Sequence, residues 1–136
     1  MSSSVERNQA KQMVGRVGED LACRFLEKKG FSIVDRNYRK FTGEIDIIAK
    51  KDKTLYFIEV KTVSRENFGL EDVWIGHRAE DNLHPQKLKR LSRAINSYLQ
   101  EKRVDVDCNW QCDAVIVNLF TKEKKAKIKY LENIFA

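Results

Sequence analysis

GEIDIIAKKDKTLYFIEVKT, from Gly43 to Thr62, is the stretch whose reading decides the fold. Two β-prone runs flank the polar link Lys50-Lys51-Asp52-Lys53, which reads as a hairpin turn. Strand side chains alternate, so Glu44, Asp46 and Ile48 share one face while Ile45, Ile47 and Ala49 share the other. In the second run Leu55, Phe57, Glu59 and Lys61 oppose Tyr56, Ile58, Val60 and Thr62. Apolar residues on both faces of both runs mean that both faces are covered. Asp46, Glu59 and Lys61 therefore stand at or near a covered face, where charge needs a reason.

Outward from this hairpin, Val14, Val17, Leu21, Ala22, Phe25 and Leu26 recur at three- and four-residue steps, with Gly30 just beyond. That spacing predicts a helix from about residue 9 to 29. FSIVDRNYRK reads as a strand before the hairpin, so three sequential strands form an antiparallel meander. A second helix starts at His84 with Pro85 in its first turn and Leu88, Leu91, Ala94, Ile95, Tyr98 and Leu99 on one face. NWQCDAVIVNLF gives a fourth strand and AKIKYLENIF a fifth running into a tail. The order αβββαβ(β) does not alternate strictly, which favours a mixed sheet flanked by helices over a doubly wound α/β fold. One domain over residues 1–136 is expected, with a flexible stretch at about 1–8 and a long loop at about 63–83.

The 136 residues suffice for one real core. Twenty-six Lys and Arg against 20 Asp and Glu leave a charge of +6, which favours a polyanionic partner, nucleic acid first. No apolar run approaches the roughly 20 residues of a membrane span, and MSSSVERNQAKQ lacks the apolar core of a secretion signal. Cys23, Cys108 and Cys112 form no C-x-x-C pair, so reduced thiols and a cytoplasmic location are expected.

Taking an ionised carboxylate out of water costs several kcal/mol, against about 5–15 kcal/mol for the stability of a whole domain. Two acids at a covered face need a compensator. Mg²⁺ binds through one or two carboxylates, keeps several waters and leaves positions for phosphate oxygens. Lys61, one pleat beyond Glu59, could stabilise charge on a phosphorane or help activate a water. The alternative is plainer: half-exposed acids, with Glu59 and Lys61 mere neighbours at a sheet edge.

GEID followed after a gap by EVK resembles the core motif of the PD-(D/E)xK nuclease superfamily. The wider chain is similar to the YraN-like family of small bacterial proteins related to Holliday junction resolvases. GRVGEDLACRFLEKKGF matches that family's first helix with its G-E-x-x-A signature, RNYR precedes GEIDIIA, KLKRLSRAINSYL matches the second helix and CDAVIV a later strand. The resemblance runs from Gly15 to Phe135 and implies a restriction-endonuclease-like core. It makes Asp46 and Glu59 metal-binding acids, Lys61 the catalytic lysine and Glu19 an additional acid of the metal site, with Mg²⁺ or Mn²⁺ as cofactor. Glu44 reads as a strand-start residue or a support for the ligands. Ile45 replaces the superfamily's proline, Val63 stands where the family has arginine with Arg65 only later, and QCD replaces R-F-D.

Lys87, Lys89, Arg90 and Arg93 on the second helix, with Arg65, are candidates for phosphate contact, since such cations fix a protein on nucleic acid without reading sequence. Lys87 is preferred because in the resemblance it opens the helix that faces the sheet. His77, His84, Cys108 and Cys112 match no closed zinc motif. Cys23 and Cys112 read as small core residues, and Trp74 either stacks on a base or packs locally. The resulting expectation is a metal-dependent endonuclease acting on DNA, branched or damaged DNA included, with a homodimer suiting a symmetric substrate. Its alternative is a nucleic-acid-binding or assembly protein that keeps the fold without turnover.

Overall fold

A computed structural model describes residues 3–65 and 85–135. Helix α1 (Ser4–Lys28) precedes strands β1 (Ser32–Lys40), β2 (Gly43–Lys51) and β3 (Thr54–Arg65); helix α2 (Pro85–Glu101) leads to β4 (Asn109–Phe120) and β5 (Lys125–Leu131). The strands lie in one sheet in their sequence order. β1, β2 and β3 form the expected antiparallel meander, β4 runs parallel to β3, and β5 is antiparallel to β4. A parallel neighbour cannot follow through a tight turn, and α2 belongs to the crossover that returns the chain.

The two helices cover opposite faces. Ala22, Cys23 and Leu26 of α1 pack on Ile47, Ala49, Ile58, Val115 and Val117. Leu91, Ala94, Ile95 and Tyr98 of α2 pack on Ile45, Ile48, Leu55 and Phe57. The Tyr98 ring meets Tyr38 and Phe57 edge-on, at centroid distances of 5.2 and 5.6 Å. Such pairs add about 0.5–1.5 kcal/mol to simple burial. These two cores cover the sheet from opposite sides.

Three expectations change. Helix α1 begins at Ser4, not near residue 9, because Ser3 and Glu6 form a capping box in which each side chain accepts from the other's backbone N–H. Residues 4–8, expected to be flexible, are its first turns. Its apolar stripe is also narrower than expected: Val17 is exposed, and the buried residues are Gly18, Ala22, Cys23 and Leu26. Finally, strict alternation fails in β2, where Ile45 packs with Ile48 towards α2 instead of with Ile47 and Ala49 towards α1. The pleat breaks at Asp46. Most of the expected 63–83 loop, with Trp74, His77 and His84, lies outside the described residues, and Val63, Ser64 and Arg65 prolong β3.

Candidate active site

The β2–β3 ladder runs from Lys51 opposite Thr54 to Ile47 opposite Ile58 and goes no further. Beyond that pair β2 continues against β1, and β3 against β4, so the strands part. Asp46 stands at the parting. Its Oδ2 accepts the N–H of Val60 at 2.8 Å, supplying the partner that the lost ladder no longer provides. Burial and then the charge of Glu59 push the Asp46 carboxyl up to about 7, although the Val60 N–H pulls the other way.

Glu59 follows Ile58 on β3 and is only 7% exposed. Lys87 Nζ, from the first turn of α2, lies 2.6 Å from its Oε1. That first turn contains no acidic residue. A lysine at the positive end of a helix dipole is unfavourable by itself, and the Glu59 carboxylate offsets it. Lys61, two residues along β3, is half-buried and lines the same cleft as Asp46 and Glu59.

Glu19 reaches this cleft because α1 lies unusually close to β3. A Cβ on Gly18 would fall 1.9 Å from Thr62 Oγ1 and 2.8 Å from Thr62 Cβ, so only a glycine permits the approach. The neighbouring Glu19 accepts from Arg36 Nη2 at 3.3 Å, and Arg36 also pairs with Asp20 at 2.7 Å. The resulting cleft of about 1150 Å³ is lined by Glu19, Asp46, Glu59, Lys61 and Lys87 among others.

The all-oxygen donor set of Asp46 and Glu59 suits Mg²⁺ or Mn²⁺. Burial first, and the Glu59 charge second, disfavour an ionised Asp46, and a divalent cation would offset both. Among the described residues, however, no three His, Cys, Asp or Glu side chains are gathered into a ready-made cage. Lys87 and Arg36 instead draw Glu59 and Glu19 towards themselves.

Of the candidate phosphate contacts, Lys87 and Arg90 line a second cleft, which ends on Glu59. Lys89 and Arg93 are exposed elsewhere on α2. Arg65 takes another role at the far end of β3, where its carbonyl accepts from Thr121 N at 2.8 Å. Its Nε is buried with no hydrogen-bond partner among the described residues. Cys23 and Cys112 are core residues, as expected, and burial pushes both thiols up. Glu44 is exposed and pairs with Arg39 at 3.2 Å.

Two residues that stood in the quoted motifs have structural roles that the sequence reading did not assign. Gly18 is one; its signal was a glycine set within an apolar helical stripe. The other is Asp113 of QCD, fully buried and bonded by Gln111 Nε2 at 2.9 and 3.0 Å, by the Tyr130 hydroxyl and by Asn133 N at 2.9 Å. Gln111, not a basic residue, serves this carboxylate, which ties β4 to β5 and the tail.

Among the described residues no helix is long and apolar enough to cross a membrane. The profile of the uncharacterised protein family UPF0102 matches residues 18–117. A UPF0102 protein of Flavobacterium psychrophilum is 34% identical over 122 residues, covering 90% of this chain and 92% of the relative. One from Alkaliphilus oremlandii is 38% identical over 123 residues, covering 90% and 97%. Among solved structures, Pyrococcus furiosus SfsA in complex with Ca²⁺ aligns with a TM-score of 0.34 and 14% identity, over 90% of this chain and 63% of that one.

Proposed function

The chain belongs to the UPF0102 family, within the restriction-endonuclease-like superfamily, and from that premise we propose that it is a divalent-metal-dependent endonuclease hydrolysing DNA phosphodiesters. One observation carries this reading: Asp46 and Glu59 stand where β2 and β3 part, and Lys61 lines the same cleft. A fold gains nothing from two crowded carboxylates at a covered face unless something passes through to use them.

Asp46 and Glu59, joined by Glu19, are the residues that would hold Mg²⁺ or Mn²⁺, which supplies Lewis-acid activation of a phosphodiester and of water. Lys61 presents its ammonium to the reacting phosphate, stabilising developing negative charge or orienting the attacking water. Lys87 releases Glu59 and, with Arg90, takes the DNA backbone. The finer expectations, a branched substrate met by a two-fold dimer and a reducing cytoplasm around three free cysteines, rest on the resemblance and on composition. A cleavage panel of linear, single-stranded, flap and four-way DNA with Mg²⁺ or Mn²⁺ tests the activity and ranks the substrates. Absence of cleavage on every member refutes it.

A second reading, a nucleic-acid-binding or assembly protein without turnover, draws support from the Lys87–Glu59 pair at 2.6 Å, in which a protein cation already compensates the acid. Calorimetry with Mn²⁺ separates the two readings. The endonuclease binds the ion and Asp46→Asn weakens that binding; no binding by either protein favours the silent module.

A further inference from the structure

The turn between β1 and β2 holds Phe41 entirely in solvent, at 107% relative exposure. A lone exposed apolar residue is ordinary. This one sits on a braced arm. Thr42 Oγ1 lies 3.0 Å from Ser97 Oγ of α2. The Tyr38 hydroxyl donates to Glu101 Oε2 at 2.7 Å, and Lys40 Nζ lies 3.0 Å from Glu101 Oε1. Gly43 is pressed so close to α2 that a Cβ there would meet the Arg90 carbonyl oxygen at 2.7 Å. Both strands of the hairpin are thus fixed to α2, and the ring is presented at little cost in flexibility.

Beside the arm runs the cleft of about 630 Å³ that ends on Glu59, lined by the cations Arg39, Lys40, Lys87 and Arg90. Lys40 also borders the shallow hollow to which Phe41 belongs, so the ring and the cationic cleft are contiguous. Lys40 and Arg39 are held by Glu101 and Glu44 in exposed ion pairs, a kind weak enough to be exchanged for phosphate. An aromatic face beside a cationic groove is the arrangement that takes single-stranded nucleic acid, one element for a base and the other for the backbone.

We propose that Phe41 is a stacking platform for an unpaired base, and that the substrate carries a junction between duplex and single strand close to the bond cleaved. The inference rests on the nuclease reading for the role of the cleft. Phe41 brings what the acids and lysine do not: a continuous duplex has no unpaired base to offer, whereas a fork or flap has one. A protein partner fits less well, because one phenyl ring beside Lys40 and Glu101 falls far short of the roughly 800 Å² per partner of a stable protein interface.

The test uses the full chain in EDTA with a forked DNA carrying 2-aminopurine at its first unpaired position, and a blunt duplex of the same sequence. Phe41→Ala should weaken fork binding by on the order of ten-fold, the effect of losing one base–aromatic stack, and leave duplex binding unchanged. Wild type and Phe41→Tyr should quench the 2-aminopurine, and Phe41→Ala should not. Equal fork affinity for Phe41→Ala and wild type overturns the inference, as does an equal loss on fork and duplex. So does a Phe41-dependent self-association in sedimentation without the fork effect. Wild type that binds neither DNA overturns this inference, while the cleavage panel in Mg²⁺ or Mn²⁺ decides the nuclease reading separately. Selective fork binding in a protein that never cleaves with Mn²⁺ supports the stacking platform and refutes turnover.

Discussion

Gly18→Ala inverts the usual sign of a helix substitution. Replacing an interior helical glycine by alanine ordinarily gains up to about 1 kcal/mol, because alanine loses less backbone entropy. Gly15, in the same helix with nothing within 4 Å of an added Cβ, should behave in that way. At Gly18 the added Cβ would meet Thr62 Oγ1 at 1.9 Å, Cγ2 at 2.6 Å and Cβ at 2.8 Å. Rotating the threonine relieves the first two contacts but not the third, since its Cβ is fixed to the strand. Helix α1 must therefore move off β3, and overpacking of this kind costs roughly 1–3 kcal/mol. Set against the propensity gain, a net loss of up to about 2 kcal/mol is expected. Urea unfolding of both variants measures it. Thr62→Ala should recover part of the loss, giving a coupling of about 1 kcal/mol in a double-mutant cycle. A Gly18→Ala protein stabilised to the same extent as Gly15→Ala would refute the close packing of α1 on β3, and with it the reason Glu19 reaches the cleft.

Asp46→Asn should stabilise the metal-free protein by about 2 kcal/mol at pH 8, roughly half the free-energy equivalent of raising a carboxyl from 3.8 to about 7, the rest discounted for residual solvent access. Because the folded state binds this proton more tightly than the unfolded state, wild-type stability falls as pH rises from about 4 to about 7, so the gap between the proteins should narrow to less than half at about pH 5 and close at about pH 4 and below. Urea unfolding in EDTA across that range checks it, and a gap independent of pH contradicts the buried-carboxylate argument. Asp113→Ala should cost about 3 kcal/mol or more, since it strands the donors of Gln111, Tyr130 and Asn133; a midpoint within 0.5 kcal/mol of wild type, the range of ordinary surface changes, would contradict that role. Lys61→Met should leave Mn²⁺ binding by calorimetry intact while lowering cleavage about 10²- to 10³-fold, the usual scale for loss of one charge-stabilising group.

The strands were legible because their alternation and turn residues are local, and Asn109–Phe120 is the segment read from the sequence. The covered sheet followed from Ile47, Ile48 and Ala49, since three consecutive apolar residues in a strand need cover on both sides. What escaped depends on long-range placement. The change of face at Asp46 falls where β3 leaves β2 and level with Asn37 of β1, whose backbone is left-handed, and a single strand's pattern cannot reveal its neighbours. Lys87 and Arg36 were visible as cations, but their positions against Glu59 and Glu19 are products of packing across 28 and 17 residues of chain. The start of α1 is a different case. Ser3 and Glu6 carried the capping signal, and the search for apolar periodicity passed over it because the first turns are exposed on every side.

The most direct measurement is single-turnover cleavage of a forked or four-way DNA in Mg²⁺ or Mn²⁺ by the wild-type chain, Glu59→Ala and Lys61→Ala side by side. Wild type should cut in either metal and stop in EDTA, with both variants slowed at least 10²-fold. Cleavage that survives both substitutions at the wild-type rate would contradict the assignment of the site to the parting of β2 and β3.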